Sequence, residues 1–322
     1  MNETEESIPK LHNNFFVKLF SEPENVSFFL NMTLPQDVKE ALDLSKINID
    51  FTSYISPQLK DKWSDLVAKV ALKTPSKKLK DANIYFLVEH KSNSEKNSLM
   101  QVLGYMHSEW QKDVESKRDL RPIIPLIFYH GKNKWNRPRR FVDQFKVDDS
   151  FKRYMLNYNY LFFDTADWDF MAPENSELKE NVFLFTALVL MKNAYNNDMD
   201  VVREILKFWH KKGFTKEKER ILLCLNYIYY TKDITYEKLE QAFEESKIEG
   251  GNIMPSLAQR LKEEGKEQGI EIGLEKGIER GIERGKIETA KRLMNLGVDI
   301  DTIKRATELT EENLKKIAET IH

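Results

Sequence analysis

The sequence has few cysteines, no long apolar runs and little net charge. Its one cysteine, Cys224, excludes an intramolecular disulfide and a cysteine-based zinc site, and its apolar neighbours predict a buried side chain. No apolar run approaches the roughly 20 residues of a membrane span. The first residues are polar and acidic, unlike a signal peptide. We therefore expect a soluble, cytoplasmic protein with no membrane partner.

The formal net charge of −2 gives the whole chain no attraction for nucleic acid, so any phosphate-binding surface must be local. Two basic segments are candidates, and each could equally be a solvated loop. Their residues are Lys77, Lys78 and Lys80 in one, and Lys132, Lys134, Arg137, Arg139 and Arg140 in the other. With 322 residues, 41% of them apolar, the chain can form two domains or one domain with a large appendage.

Residues 63–72 and 84–89 are rich in apolar and β-prone residues, and a polar run separates them. This pattern predicts two strands joined by a loop. A hairpin folded about residue 78 places Asp65 beside Lys91 and Val67 beside Glu89. Because strand side chains alternate, Asp65, Glu89 and Lys91 then share one face.

Two neighbouring carboxylates repel unless a cation lies between them. Asp65 and Glu89 offer the hard oxygen ligands that Mg²⁺ prefers, with Mn²⁺ as the alternative metal. Such an ion polarises a phosphoryl oxygen, and Lys91 can orient or deprotonate the attacking water. The set suits phosphodiester hydrolysis. The opposing interpretation is that these are ordinary charges on a solvated strand.

Residues 97–111 predict a helix with one apolar stripe. Its members are Leu99, Val102, Leu103, Met106 and Trp110. Gln101 and Tyr105 are four residues apart, and we expect them to share a different face, roughly opposite that stripe and turned toward the metal site.

The order Asp65, Glu89-His90-Lys91 and Gln101-x-x-x-Tyr105 resembles the PD-(D/E)XK nuclease superfamily. More narrowly, the chain resembles the bacterial recombination-promoting nuclease and putative transposase family over residues 10 to about 170. The motifs that carry this resemblance are His12–Phe20, Ser64-Asp65-Leu66, Glu89–Ser92 and Tyr129-His130-Gly131.

The resemblance implies that Asp65 and Glu89 bind metal, that Lys91 is the catalytic lysine and that Gln101 assists. Many relatives have His-Asp where this chain has His12-Asn13. That difference removes an auxiliary acidic ligand, for which Glu22 or Glu24 is a weak substitute.

The pattern predicts an α/β fold with a mixed sheet in the order αβββαβ, and the resemblance implies a restriction-endonuclease-like core. We expect this core over residues 1–170, a helical cap over 171–250 and a helical C-terminal extension over 251–322. Within the core, residues 121–129 predict a strand buried on both faces, and residues 158–164 predict the last strand.

Within the extension, six of the chain's twelve glycines recur every four residues, from Gly265 to Gly285. Each costs about 1 kcal/mol in a helix relative to alanine. Ile or Leu follows four of them at the same spacing. A flexible charged linker is one interpretation. We favour a helix that approaches a second copy closely, so that residues 264–286 form a homo-oligomer. A short helical hairpin is expected after it.

The sequence therefore predicts a Mg²⁺-dependent DNA endonuclease connected with recombination or mobile elements. One alternative is a catalytically impaired nuclease-fold protein that binds DNA or assembles. Another is an oligomerisation scaffold, which would leave Asp65, Glu89 and Lys91 without a role.

Overall fold

The computed structural model describes residues 4–50, 66–74, 81–89, 97–170, 172–232, 234–248 and 252–319. Within these ranges, only the backbone is described at 4–10, 83, 85–89, 173–175, 268 and 271–272. The chain divides into two compact units, Met1–Met254 and Pro255–His322. The predicted separation of residues 1–170 from 171–250 within the first unit stays a prediction.

The first unit begins with four helices and a five-stranded sheet. The helices are α1 (Thr4–Phe20), α2 (Pro23–Thr33), α3 (Gln36–Ala41) and α4 (Ser98–Glu115); the strands are β1 (Leu42–Asp50), β2 (Leu66–Leu72), β3 (Asp81–Glu89), β4 (Ile123–Tyr129) and β5 (Leu161–Asp164). The spatial order is β1-β2-β3-β4-β5. The first three strands are antiparallel, whereas β3, β4 and β5 are parallel. The predicted mixed α/β fold and its αβββαβ order are confirmed.

Helices cover both faces of the sheet. On one face, Phe16 of α1 and Phe29 of α2 contact Phe128 of β4. On the other face, Leu99 and Val102 of α4 pack in one cluster with Val67 and Ile127. Residues 126–129 of β4 are at most 1% exposed, as the prediction of a strand buried on both faces requires. The side chains of β4 therefore alternate between two apolar layers.

Short elements connect β4 and β5 and follow the sheet. They are a 3-10 helix (Phe141–Gln144), helix α5 (Asp149–Lys152) and a second 3-10 helix (Pro173–Glu180). Helices α6 (Val182–Lys192), α7 (Met199–Lys212), α8 (Lys218–Thr231) and α9 (Tyr236–Glu245) complete the helical part of the first unit. Cys224 on α8 is fully buried, as predicted.

A 43-residue helix, α10 (Ile253–Asn295), contains all six of the regularly spaced glycines. In the second unit, α11 (Ile300–Thr307) and α12 (Glu311–Glu319) pack on its C-terminal end. Ala290, Ile303 and Leu314 lie at the centre of that small core. Gly297 ends the long helix with φ +74°, a left-handed conformation that glycine adopts without strain. Within the described ranges, no helix combines the length and apolar character of a membrane span.

Candidate active site

The parallel strands end together at one edge of the sheet. In register, Glu89 of β3 pairs with Tyr129 of β4, and Tyr129 pairs with Asp164 of β5. Parallel strands present their carboxyl ends at the same edge, which is where open α/β sheets bind ligands. We call this row, Glu89, Tyr129 and Asp164, the carboxyl edge.

Of the four predicted site residues, the structure describes Glu89 at backbone level and Gln101 completely. Asp65 and Lys91 lie outside the described residues. The predicted pairing of Val67 with Glu89 is wrong, because Val67 pairs with Tyr85. The reason is that β3 begins at Asp81, three residues before the apolar run at Ile84, so the turn is shorter than its polar composition indicates. The shift is an even number of residues and therefore preserves which positions share a face.

Helix α4 places Gln101 one turn from its N-terminus, next to buried Val102. Gln101 is half-buried, and its Oε1 atom is buried without a hydrogen-bond partner among the described residues. Tyr158 donates a hydrogen bond from its hydroxyl to the carbonyl oxygen of Leu99, which fixes this first turn. A buried amide oxygen without a partner costs free energy, so this atom is a candidate ligand contact.

Tyr105 does not lie on a face opposite the apolar stripe, as the helical spacing had predicted. It is 3% exposed and packs in the same cluster as Leu99, Val102 and Met106. The buried arc of α4 is wider than the predicted stripe because it also includes Glu109 and Asp113. Arg121 forms a salt bridge to each of these two carboxylates and so compensates their buried charge. The covered face of α4 thus extends past the apolar residues.

Two buried histidines lie beside the carboxyl edge. His130 directly follows Tyr129, and its ring centroid is 4.9 Å from that of His12 on α1. His12 Nδ1 is 2.7 Å from the hydroxyl oxygen of Tyr227 on α8. Burial raises the pKa of Tyr227 well above its ordinary value, so this phenol stays protonated at neutral pH. The cluster joins α1 and α8 to the end of β4.

Asp164 is a candidate functional residue that the sequence did not single out. It lies at the end of β5 and is 7% exposed. The backbone N–H of Ala166 donates a hydrogen bond to its carboxylate at 2.9 Å, which lowers the pKa of Asp164. Burial has the larger effect, so the pKa of Asp164 is raised. A buried carboxyl with a raised pKa at the end of a parallel strand is typical of functional sites. Its only sequence signal was its position at the end of the predicted last strand.

The possible substitutes for an auxiliary acid occupy other roles or positions. Glu22 accepts hydrogen bonds from the guanidinium of Arg220 and forms a salt bridge with it. Glu24 is exposed on α2, and Asn13 on α1 is half-buried next to His12. In the described ranges, no group of three or more His, Cys, Asp or Glu residues is arranged to hold a metal ion.

The basic segment after β4 is divided between structural and exposed residues. Arg139 lies over the ring of Phe162 at 3.8 Å, and Arg140 hydrogen-bonds both carboxylate oxygens of Asp143. Lys132 and Lys134 are exposed, and neither forms an ion pair with a described residue. These two lysines are therefore available to an anion.

Comparison with known proteins places the chain in a family. Residues 10–220 match the family described as "Putative transposase, YhgA-like", and the chain belongs to that family. It is 23% identical to the inactive recombination-promoting nuclease-like protein RpnE of Escherichia coli (strain K12), over 97% of this chain and 98% of that protein. It is 22% identical to the recombination-promoting nuclease RpnA of the same strain, over 98% of both chains. The recombination-promoting nuclease RpnD of Escherichia coli O157:H7 is 22% identical over 78% of this chain and 90% of that protein. No solved structure matches the chain.

Proposed function

We propose that this protein is a metal-dependent DNA endonuclease with a restriction-endonuclease-like core and a role in recombination or mobile elements. Its family membership and the names of RpnA and RpnD support nuclease chemistry. The observation that carries the proposal is the buried, unpartnered Oε1 atom of Gln101 on the helix that covers β2 and β4. A polar atom in that position is stabilised by a ligand or an ordered water at the site.

The proposed residue roles rest on the chemistry of the side chains and on the family resemblance. Glu89 ends β3 at the carboxyl edge, and strand alternation predicts that Asp65 would share its face if β2 continues by one residue. The two carboxylates are hard oxygen donors, which fit Mg²⁺ or Mn²⁺. A bound ion would supply Lewis acidity toward a phosphoryl oxygen. Lys91 takes a proton from the attacking water, and Gln101 orients that water.

The alternative is a protein that keeps the nuclease fold with impaired chemistry and acts by binding DNA or by assembly. Asn13 supports it, because the family resemblance implies an aspartate at this position and an amide cannot supply its charge. The similarity to RpnE, whose name contains the word inactive, also supports it.

Nicking of supercoiled plasmid by the purified full-length chain separates the two. The endonuclease converts supercoiled to open-circular DNA in Mg²⁺ or Mn²⁺ and not in EDTA. DNA retention without cutting in either metal favours the impaired protein. The double variant Asp65→Ala, Glu89→Ala, purified identically, controls for a contaminating nuclease.

Self-association through residues 264–286 is a second part of the proposal. Four apolar side chains on α10 are between 54% and 65% exposed: Ile270, Leu274, Ile278 and Ile282. A Cβ atom built on any of the six glycines meets no atom within 4 Å. Glycine therefore serves no contact within the described part of this chain, although each glycine weakens the helix. Close approach of a second copy would bury the four apolar side chains and would explain why glycine, which has no side chain, recurs beside them.

A further inference from the structure

A cavity of about 180 Å³ lies beside the carboxyl edge and has no role in the proposed hydrolysis. It is lined by His12, Lys132, Ala194, Tyr195, Asn197 and Thr231. Drug-sized ligands occupy pockets of about 300–1,000 Å³, so this cavity suits a smaller group.

The cavity is connected to the candidate site by contacts within the first unit. His12, which lines it, packs against His130, and His130 directly follows the register partner of Glu89. Lys132 lies two residues further along the same loop. The cavity therefore lies next to the carboxyl edge, on the side of the sheet that α1 covers.

The wall of the cavity suits a planar ring. His12 is 2% exposed, and its contact with the hydroxyl of Tyr227 holds the imidazole in place. The ring of Tyr195 lies 5.7 Å from it, and the residue is 41% exposed, so part of the phenol is open to solvent. Every nucleobase presents a flat π-face that stacks on such a side chain.

Polar groups at the mouth complement the rest of a nucleotide. Lys132 forms no ion pair and Asn197 forms no side-chain hydrogen bond with the described residues. An ammonium group binds phosphate, and an amide pairs with the donor and acceptor groups of a base edge.

Hydrogen bonds from Lys232 fix the loop that contains Tyr195 and Asn197. Lys232 is 1% exposed, and its ammonium group donates to the carbonyl oxygens of Asn193 and Asn196. These bonds anchor the loop on both sides of Tyr195. The wall is therefore fixed before any ligand arrives.

We infer that this cavity is a subsite for one unpaired nucleotide of DNA, whose base stacks on Tyr195 and contacts Asn197 while its phosphate binds Lys132. A base inside a duplex is stacked on both faces, so only a single-stranded or flipped-out base can enter. The inference rests on the proposed action on DNA and adds a preference for unpaired DNA.

The test measures binding of a fluorescently labelled single-stranded oligonucleotide and of its duplex, by anisotropy, with full-length protein in EDTA so that no metal-dependent cutting occurs. We expect Tyr195→Leu and Lys132→Ala each to weaken single-strand binding at least tenfold and to affect the duplex less. Tyr154→Leu and Lys146→Ala are matched controls, because both residues are exposed and neither lines the cavity. Thermal unfolding checks that each variant is folded.

Unchanged single-strand binding in Tyr195→Leu and Lys132→Ala overturns the subsite, and so does an equal loss on single strand and duplex. Displacement of the oligonucleotide by micromolar free dAMP or dTMP would assign the cavity to a soluble nucleotide instead. Plasmid nicking is scored separately. Cutting by the wild type with no effect of Tyr195→Leu on binding refutes the subsite alone, whereas Tyr195-dependent binding without cutting refutes the nuclease alone.

Discussion

Arg121 hydrogen-bonds both carboxylate oxygens of Asp113 at 2.8 to 3.1 Å, with Asp113 fully buried and Arg121 11% exposed. The backbone N–H of Arg121 also donates to Asp113, at 3.0 Å. The pair ties the last turns of α4 to the chain that enters β4, at the end of the strand opposite the carboxyl edge. It holds the helix in position on the sheet without taking part in the chemistry.

Replacing one partner leaves the other buried without compensation. We expect Asp113→Asn to lower the free energy of unfolding by about 3 kcal/mol or more, measured by urea denaturation at pH 7. Burial alone would raise the pKa of Asp113, but the hydrogen bonds and charge of Arg121 outweigh it and lower that pKa. The contribution of the Asp113–Arg121 pair to the free energy of unfolding is thus fully present above the ordinary aspartate pKa and is lost as pH falls through the lowered value.

The exposed pair Arg140–Asp143 is the control, and Asp143→Asn should change stability little. Equal effects at both sites would contradict this account.

The order of strands and helices was predictable because it depends on local pattern: alternating apolar residues, a polar turn, then helical spacing. The burial of Cys224 follows from its apolar neighbours in the sequence. The hairpin register was not predictable, since the polar residues at the start of β3 join the strand through tertiary pairing that propensity does not show. The prediction that Tyr105 lies opposite the apolar stripe was wrong for a related reason. Salt bridges to Arg121 allow charged residues on the buried side of α4, so that side is wider than the apolar stripe. Asp164 was missed because one aspartate at a strand end is a common feature.

Asp164 provides a test of function against stability. Its raised folded-state pKa means that the folded chain binds its proton more tightly, so stability falls as pH rises from the ordinary value of 3.8 through the raised value. Asn retains the acceptor for the Ala166 N–H without the buried charge. We expect Asp164→Asn to unfold at a higher temperature than the wild type at pH 7, with the difference shrinking toward pH 4, and to nick plasmid more slowly. Higher stability with full activity would place Asp164 outside the site.

Removal of either proposed metal-binding carboxylate should abolish cutting. Asp65→Ala and Glu89→Ala each delete one hard oxygen ligand of a shared ion. Activity is measured as plasmid nicking in Mg²⁺, and circular dichroism checks the fold. Glu115→Ala, an exposed acid at the end of α4, is the matched control and should cut normally. Activity within a few-fold of the wild type in either site variant refutes the assignment.

Lys91 distinguishes a proton acceptor from a fixed positive charge. We expect Lys91→Ala to lose most activity while still binding metal, measured by calorimetry. Lys91→Arg should not restore it, because a guanidinium stays protonated and cannot accept a proton from water. A fully active arginine variant would show that the residue acts only through its charge. Gln101→Ala should retain more activity than Lys91→Ala, since it orients water without exchanging a proton.

The glycines of α10 are tested by substitutions that separate helix stability from association. Replacing Gly273 and Gly277 with leucine should reduce the oligomer mass measured by light scattering, because bulk keeps the two backbones apart. Glu275→Leu places a leucine about 200° around the helix from Gly273, where it adds no bulk to that face, and should leave the mass unchanged.

Alanine at Gly273 and Gly277 gives the sharper comparison. It raises helix propensity by about 1 kcal/mol per site. Within one chain, the added methyl groups meet nothing within 4 Å, so an isolated helix should only become more stable. At a tight interface between two copies, the same methyl groups lie where the backbones approach most closely. We therefore expect the alanine variant to be more helical by circular dichroism yet to dissociate at a higher protein concentration than the wild type. A monomeric wild type, or a more helical variant with unchanged association, would show that the glycines do not serve self-association.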